Sequence, residues 1–148
     1  MVEYGVQLIP GTPRTQFAMS TPAANIKIKR AYEPAEADDG ARVLVDRLWP
    51  RGLSKQEARL DQWNRVLAPS PELRTWFGHK VNRWPEFSRR YRLELARHAE
   101  ALAALRRRAK EGPVTLVYAA KDERHNHAIV LRSVLLGRAS RLEDLSHG

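Results

Sequence analysis

The spacing of apolar and polar residues changes along the chain, and each change marks an element. Ile26-Lys27-Ile28-Lys29-Arg30-Ala31-Tyr32 alternates apolar and basic positions, the period of a strand with one wet face. Glu33 to Gly40 is a turn-rich acidic connection. Arg42 to Trp49 follows, and its continuously apolar Val43-Leu44-Val45 core predicts a strand covered on both faces. Pro50 and Gly52 stop it. Ser54, with Glu57 three residues later, forms a capping box for a short helix. Asp61 to Pro69 reads as a packed connector. Ser70 before Pro71 opens another short helix, which Gly78 ends. From about Trp84 to Lys110 the period becomes helical, with Phe87, Tyr91, Leu95, His98, Leu102 and Leu105 on one stripe. Gly112-Pro113 terminates this region. Val114 to Ala119 is a second buried strand, and a last helix runs from about His125 to Leu136, closed by Gly137.

Strand, long helix, strand, helix is the pattern of an α/β protein: one compact domain with a short, mostly parallel sheet flanked by helices. There is no internal repeat. Residues 1–24 carry Pro10, Pro13 and Pro22 among Gly, Thr, Ser and Ala and read as a disordered or poorly ordered tail. The domain is expected over 25–138, with a C-terminal tail over 139–148.

Composition narrows the chemistry. The chain has no cysteine, which removes disulfides, thiolate metal sites and cysteine nucleophiles together. No stretch approaches the roughly 20 apolar residues of a membrane helix, and the N-terminus does not read as a secretory signal. A cytoplasmic setting without membrane association is expected. The eight glycines are scattered, so neither GxGxxG nor a phosphate loop is present, and no cofactor is expected. His125 and His127 lie two apart and face different ways on a helix; with no third ligand evident, no metal site is expected. Ser54 and Ser133 lack a nucleophile-elbow context.

The formal net charge is +9, and it is unevenly placed. Residues 1–40 hold four basic and five acidic side chains, whereas 41–148 hold 22 and 12. Such a surface can steer nucleic acid, nucleotides or other anions. Arg106-Arg107-Arg108 reads more simply as a solvated helix end, where cations complement the dipole.

In open α/β sheets, ligands bind beyond the carboxyl ends of the strands. Two such ends are rich in chemistry. After the first buried strand come Asp46, Arg47, Trp49 and Arg51. Arginine forks suit carboxylate or phosphate, Asp46 could orient one of them, and Trp49 could stack on a flat group. The plainer alternative is an internal Asp46–arginine pair with Trp49 in the core. After the second strand come Lys121, Asp122, His125 and Asn126. They read either as an N-cap and first turn or as groups facing a ligand at a helix N-terminus. His125 could move protons at neutral pH. Trp63, Trp76, Phe77, Trp84, Phe87 and Tyr91 read mainly as core, with Trp76-Phe77 the pair placed to reach a pocket.

Asp39-Gly40 and the run Arg42 to Lys55 resemble the signature of the YeaO-like proteins, a bacterial and archaeal group built on a domain of unknown function. Leu67-Ala68-Pro69-Ser70, Leu73-Arg74, Trp76-Phe77, Trp84, Phe87, Tyr91, Leu116 to Asp122 and His125-Asn126 extend the likeness over roughly residues 26–137. It implies a compact α/β fold and no established activity. The wider group often carries Cys-His-Arg where this chain has Asn126-His127-Ala128, and a cysteine where Tyr118 stands. A thiol mechanism therefore does not carry over.

The leading expectation is a site, enzymatic or not, for an anionic and planar small molecule such as a nucleotide or a fragment of one. Asp46, Lys121 and His125 are the candidate catalytic groups. Arg47, Trp49, Arg51, Lys55, Trp76, Asp122 and Asn126 are the candidate binding residues. The alternatives are a nucleic-acid-associated basic protein without a base-reading motif, and a protein-interaction module using the arginine-rich helix.

Overall fold

A computed structural model describes residues 21–138. The tails expected over 1–24 and 139–148 therefore lie outside the described residues, except for 21–24. Four parallel strands form one sheet: β1 (Ile26–Arg30), β2 (Ala41–Leu44), β3 (Gln62–Trp63) and β4 (Val114–Tyr118). Their order is β1-β4-β2-β3, with β4 paired to both β1 and β2. Among the described residues five α-helices accompany them: α1 (Lys55–Ala58), α2 (Pro71–Phe77), α3 (Trp84–Leu95), α4 (Ala99–Glu111) and α5 (His127–Leu135). The α/β class read from the sequence is the one observed.

The apolar strands are covered on both faces, but unequally. Val43, Val45, Val114, Leu116 and Tyr118 join the large core that α2 to α5 complete with Leu73, Phe77, Phe87, Tyr91, Leu102 and Leu131. Leu44 and Val117 point the other way. They are covered by Trp49, Leu53 and Leu60 from the segment between β2 and β3 and by Trp63 of β3 itself, so one face carries four helices and the other mainly a folded loop.

Local chemistry explains most boundaries. Ser54 Oγ accepts from Glu57 N–H at 3.0 Å while Glu57 accepts from Ser54 N–H, the reciprocal cap expected for α1. Ser70 caps α2, and Gly78 ends it in the left-handed region at φ 53°. Three boundaries differ from expectation. The Trp84–Lys110 stripe is two helices, parted at residues 96–98. Periodicity reports which face is buried, not the direction of the axis, and the stripe continues through both. The last helix starts at His127, because Asn126 is its N-cap and accepts from Ile129 N–H at 3.2 Å. The connector Asp61–Pro69 contains β3, too short for its two residues to show a period.

Many arginines are structural. Arg30 donates to the carbonyls of Ala119 and Ala120, Arg42 to Ala58, Arg92 to Arg138 and Arg132 to Ile26. Arg106 donates to the Val134 and Leu135 carbonyls at the end of α5. It is half-buried, so only the Arg107 and Arg108 part of the triplet fits the solvated reading. Arg106 serves the C-terminus of a neighbouring helix and not its own.

Tyr91 is fully buried on α3 and donates its hydroxyl to the Leu67 carbonyl, pinning the β3–α2 connection to the helix layer. Burial first, then the Asp46 and Glu94 carboxylates, push the phenol well above its ordinary range, so it stays a neutral donor. Tyr91→Phe leaves that carbonyl unsatisfied and is expected to cost about 1.5 kcal/mol in urea unfolding, with the midpoint shifted and the slope unchanged.

Candidate functional site

Because all four strands are parallel, their carboxyl ends share one edge of the sheet. A cleft of about 480 Å³ opens there. Each strand contributes the residues that follow it: Tyr32 after β1, residues 46–51 after β2, Ala68 and Pro69 after β3, and Ala119, Ala120 and residues 125–127 after β4. Arg74, Phe77, His79 and Phe87 close the helical side. The two strand ends singled out from the sequence thus meet in one cavity.

Asp46 is the hub of this edge. Its Oδ2 accepts from Ala119 N–H at 3.0 Å, bridging the loops after β2 and β4. Its Oδ1 lies 3.0 Å from His127 Nε2. The same Nε2 lies 2.9 Å from the Val45 carbonyl. That carbonyl can only accept, so Nε2 holds a proton aimed at Val45, and Oδ1 meets it off the N–H axis. The Asp46 carbonyl in turn accepts from Trp63 Nε1 at 2.7 Å. Asp46 therefore does not orient an arginine, as the sequence suggested; its Oδ2 is bonded to the Ala119 N–H, while its Oδ1 is buried beside His127 without a hydrogen bond of its own. Arg47 is held instead by the Pro69 and Ala68 carbonyls, at 3.3 and 3.4 Å.

Trp49 is packed within the fold and also lines the cleft. Its Nε1 donates to the Leu53 carbonyl at 2.6 Å and its ring meets Trp63 edge-on at 5.5 Å, yet it also borders the cleft. Arg51 is exposed, and its guanidinium has no protein partner among the described residues. Only its carbonyl is used, accepting from the Tyr32 hydroxyl at 2.8 Å. Arg74 is likewise exposed at the cleft with its guanidinium free of protein partners among the described residues.

On the β4 side, Asp122 accepts from the N–H groups of Arg124 and His125 and contacts His125 Nδ1 at 3.0 Å. The Arg124 N–H, and after it the His125 ring and N–H, hold the Asp122 carboxyl below its usual range. The His125 ring stands edge-on to Trp84 at 5.4 Å and borders the cleft. Asn126 also borders it, but its side chain is buried and spent on the Ile129 N–H and the Asp122 carbonyl.

The structure thus gathers Asp46, Arg47, Trp49, Arg51, His125 and Asn126. It leaves out Lys55, Trp76, Lys121 and Asp122. Lys55 begins α1, outside the cavity lining. Trp76 lies instead against the Arg83 and Arg90 guanidiniums, 5.0 and 4.4 Å from its ring centroid. Lys121 is exposed away from the lining, and Asp122 acts through His125. Arg74, His79 and His127 join the site without having been singled out for it. His79 is one of two non-glycine residues with positive φ among the described residues, at 60°, just past the glycine that ends α2. The short spacing Arg74-x-x-Phe77-x-His79 was the only available hint.

The cleft thus sets three guanidiniums against one carboxylate that is already engaged, beside an apolar wall of Phe77, Phe87, Pro50 and Pro69. These features define a small α/β protein with an arginine-lined cleft at the carboxyl edge of its sheet. The chain belongs to the family described as the inactive DUF488-N3 subclade, whose model matches residues 25–147. It is 48% identical over 107 residues to "Uncharacterized protein YeaO" of Escherichia coli, covering 72% of this chain and 93% of that one. It is 44% identical over 113 residues to "Uncharacterized protein Rv3073c" of Mycobacterium tuberculosis, covering 76% and 95%. "Uncharacterized protein Mb3100c" of Mycobacterium bovis matches to the same extent. No solved structure matches the chain significantly. The YeaO-like likeness read from the signature is therefore a true family relation.

Proposed function

We propose that the cleft is a binding site for an anionic small molecule with a flat apolar portion, such as a nucleotide or a fragment of one. The observation that carries this reading is the pair of exposed arginines, Arg51 and Arg74, lining one cavity without a counter-ion among the described residues. Other exposed arginines of the domain also lack a bonded partner, so it is the placement of this pair at a concave site that gives a reason to look for an outside partner. Phe77, Phe87 and Trp49 offer ring surface to a planar group. The family description as an inactive subclade, together with the absence of cysteine, supports binding over thiol catalysis. The nucleic-acid reading draws less support, because the sequence carries no recognised nucleic-acid-binding motif.

A thermal-shift screen of nucleoside mono-, di- and triphosphates, sugar phosphates and dicarboxylates tests the reading. A ligand at 100 times its dissociation constant stabilises by about 2.7 kcal/mol. Arg51→Gln and Arg74→Gln should each leave the ligand-free melting temperature within the equivalent of about 0.5 kcal/mol, since neither side chain bonds the protein. Each should weaken the ligand about tenfold or more, the loss of one charge-assisted contact. Unchanged affinity in both variants, or no shift with any anion class, would remove the proposal.

A further inference from the structure

Two of the three imidazoles at the cleft, those of His125 and His127, are held in defined tautomers. Asp122 Oδ2 lies 3.0 Å from His125 Nδ1, and a carboxylate accepts, so in the neutral ring Nδ1 carries the proton. For His127 the proton sits on Nε2, facing the Val45 carbonyl at 2.9 Å and Asp46 Oδ1 at 3.0 Å. Each ring keeps its other nitrogen, His125 Nε2 and His127 Nδ1, as a bare acceptor. Neither has a protein donor among the described residues, and both rings border the same cavity.

Two bare acceptors are out of place in a site built only for an anion. Guanidiniums donate and never accept, so Arg51 and Arg74 suit phosphate or carboxylate oxygens. A lone pair facing the same anion would repel it. A ligand with hydroxyl groups satisfies both sets at once: its anionic end takes the guanidiniums, and its hydroxyls donate to the imidazoles. Sites that hydrogen-bond a ligand hydroxyl also reject the analogue lacking it, because their polar groups are then left unpaired.

We infer that the cleft selects a hydroxylated phosphate of the ribonucleotide type, whose vicinal hydroxyls donate to His125 Nε2 and His127 Nδ1 while its phosphate meets Arg51 and Arg74. This rests on the anion reading above. Asp122 is a positioning residue here, and the Val45 carbonyl does the same for His127: each holds its imidazole with the accepting nitrogen free.

Isothermal titration at pH 8 with adenosine 5′-monophosphate and its 2′,3′-dideoxy analogue tests the inference, since the two differ only in the hydroxyls. The wild-type chain should bind the ribonucleotide about tenfold or more tightly. His125→Phe, at a half-exposed ring, should lose part of that preference without losing the dideoxy analogue. The His125→Phe/His127→Phe double variant should bind the two equally, with circular dichroism checking that it folds. Equal binding of both nucleotides by the wild-type chain overturns the inference and leaves the anion reading standing. Full preference retained in His125→Phe overturns the role given to that ring. Failure of both nucleotides and of inorganic phosphate to bind removes the anion reading and this inference together.

Discussion

Replacing Asp39 with asparagine lowers the unfolding free energy by about 3 kcal/mol and the melting temperature by about 10 °C. Asp39 is 4% exposed and lies just before β2. Its Oδ2 accepts from Arg42 Nη1 at 2.6 Å, and its Oδ1 lies 3.1 Å from Lys29 Nζ on β1. The same carboxylate accepts from Glu36 N–H at 3.0 Å, while the Asp39 carbonyl accepts from Thr115 Oγ1 on β4 at 2.7 Å. Arg42 is 3% exposed, and one of its guanidinium nitrogens already lacks a partner. Neutralising Asp39 leaves that guanidinium buried without a counter-charge, which is the costly way to break a buried pair. The Asp39→Asn/Arg42→Met double variant should recover much of the loss, because it removes the stranded charge as well.

The pH dependence of this effect has a definite sign. Burial pushes the Asp39 carboxyl upward, but the hydrogen bonds from Glu36 N–H, Lys29 and Arg42 outweigh it and hold it below the ordinary carboxylate range. A carboxyl depressed in the folded state stabilises above the unfolded value, near 4, and that stabilisation is lost as pH falls through the lower folded value. The gap between the wild-type chain and Asp39→Asn should therefore be full at pH 6 and narrow below about pH 4. A constant gap down to pH 2 would exclude this account.

Gly40→Ala is expected to be at least as damaging, at about 4 kcal/mol. Gly40 adopts φ 65° and ψ −136°, a conformation that side chains rarely tolerate. A Cβ built there would lie 2.2 Å from the Pro113 carbonyl oxygen and 2.8 Å from Pro113 C. The approach exists because Ala41 N–H donates to that carbonyl at 3.0 Å, opening the ladder between β2 and β4. Strain and backbone overlap each cost about 1–3 kcal/mol, so they add to a loss that a domain of this size barely survives. Gly52→Ala is the control. Gly52 has φ 77°, and nothing lies within 4 Å of the place a Cβ would take, so only the strain of about 1 kcal/mol applies. Equal losses at the two glycines would show that the Pro113 contact does not matter.

The family signature therefore has two ends with different work. Asp39, Gly40 and Arg42 set β2 against β4 and lock it there, with Lys29 of β1 tied to the same Asp39 carboxylate. Asp46 to Arg51 then leave the sheet at its carboxyl edge and line the cleft. The same short run both builds the central strand pair and delivers the site, which explains why so long a signature says more about kinship than about a ligand.

Local patterns carried the elements. The alternation in β1, the apolar runs of β2 and β4, and the caps at Ser54, Ser70, Gly78 and Gly137 are all statements about residues a few positions apart. Sheet order and the two-residue β3 are not, and neither is the turn that divides the Phe87–Leu105 stripe. Those depend on which surfaces meet after collapse.

The site divides in the same way. The sequence by itself determined that charge is concentrated just after two apolar strands, and parallel strands put such ends on one edge. It could not say that Asp46 would bond the Ala119 N–H and lie beside His127 and not orient an arginine. Nor could it show that Arg74 and His79 would face a loop more than 20 residues earlier in the chain. Local propensity and hydrophobic period are readable from neighbours, because they arise from steric and solvation effects over one or two turns. Which donor finds which acceptor is decided only when the folded chain removes water and leaves each buried polar group a few possible partners.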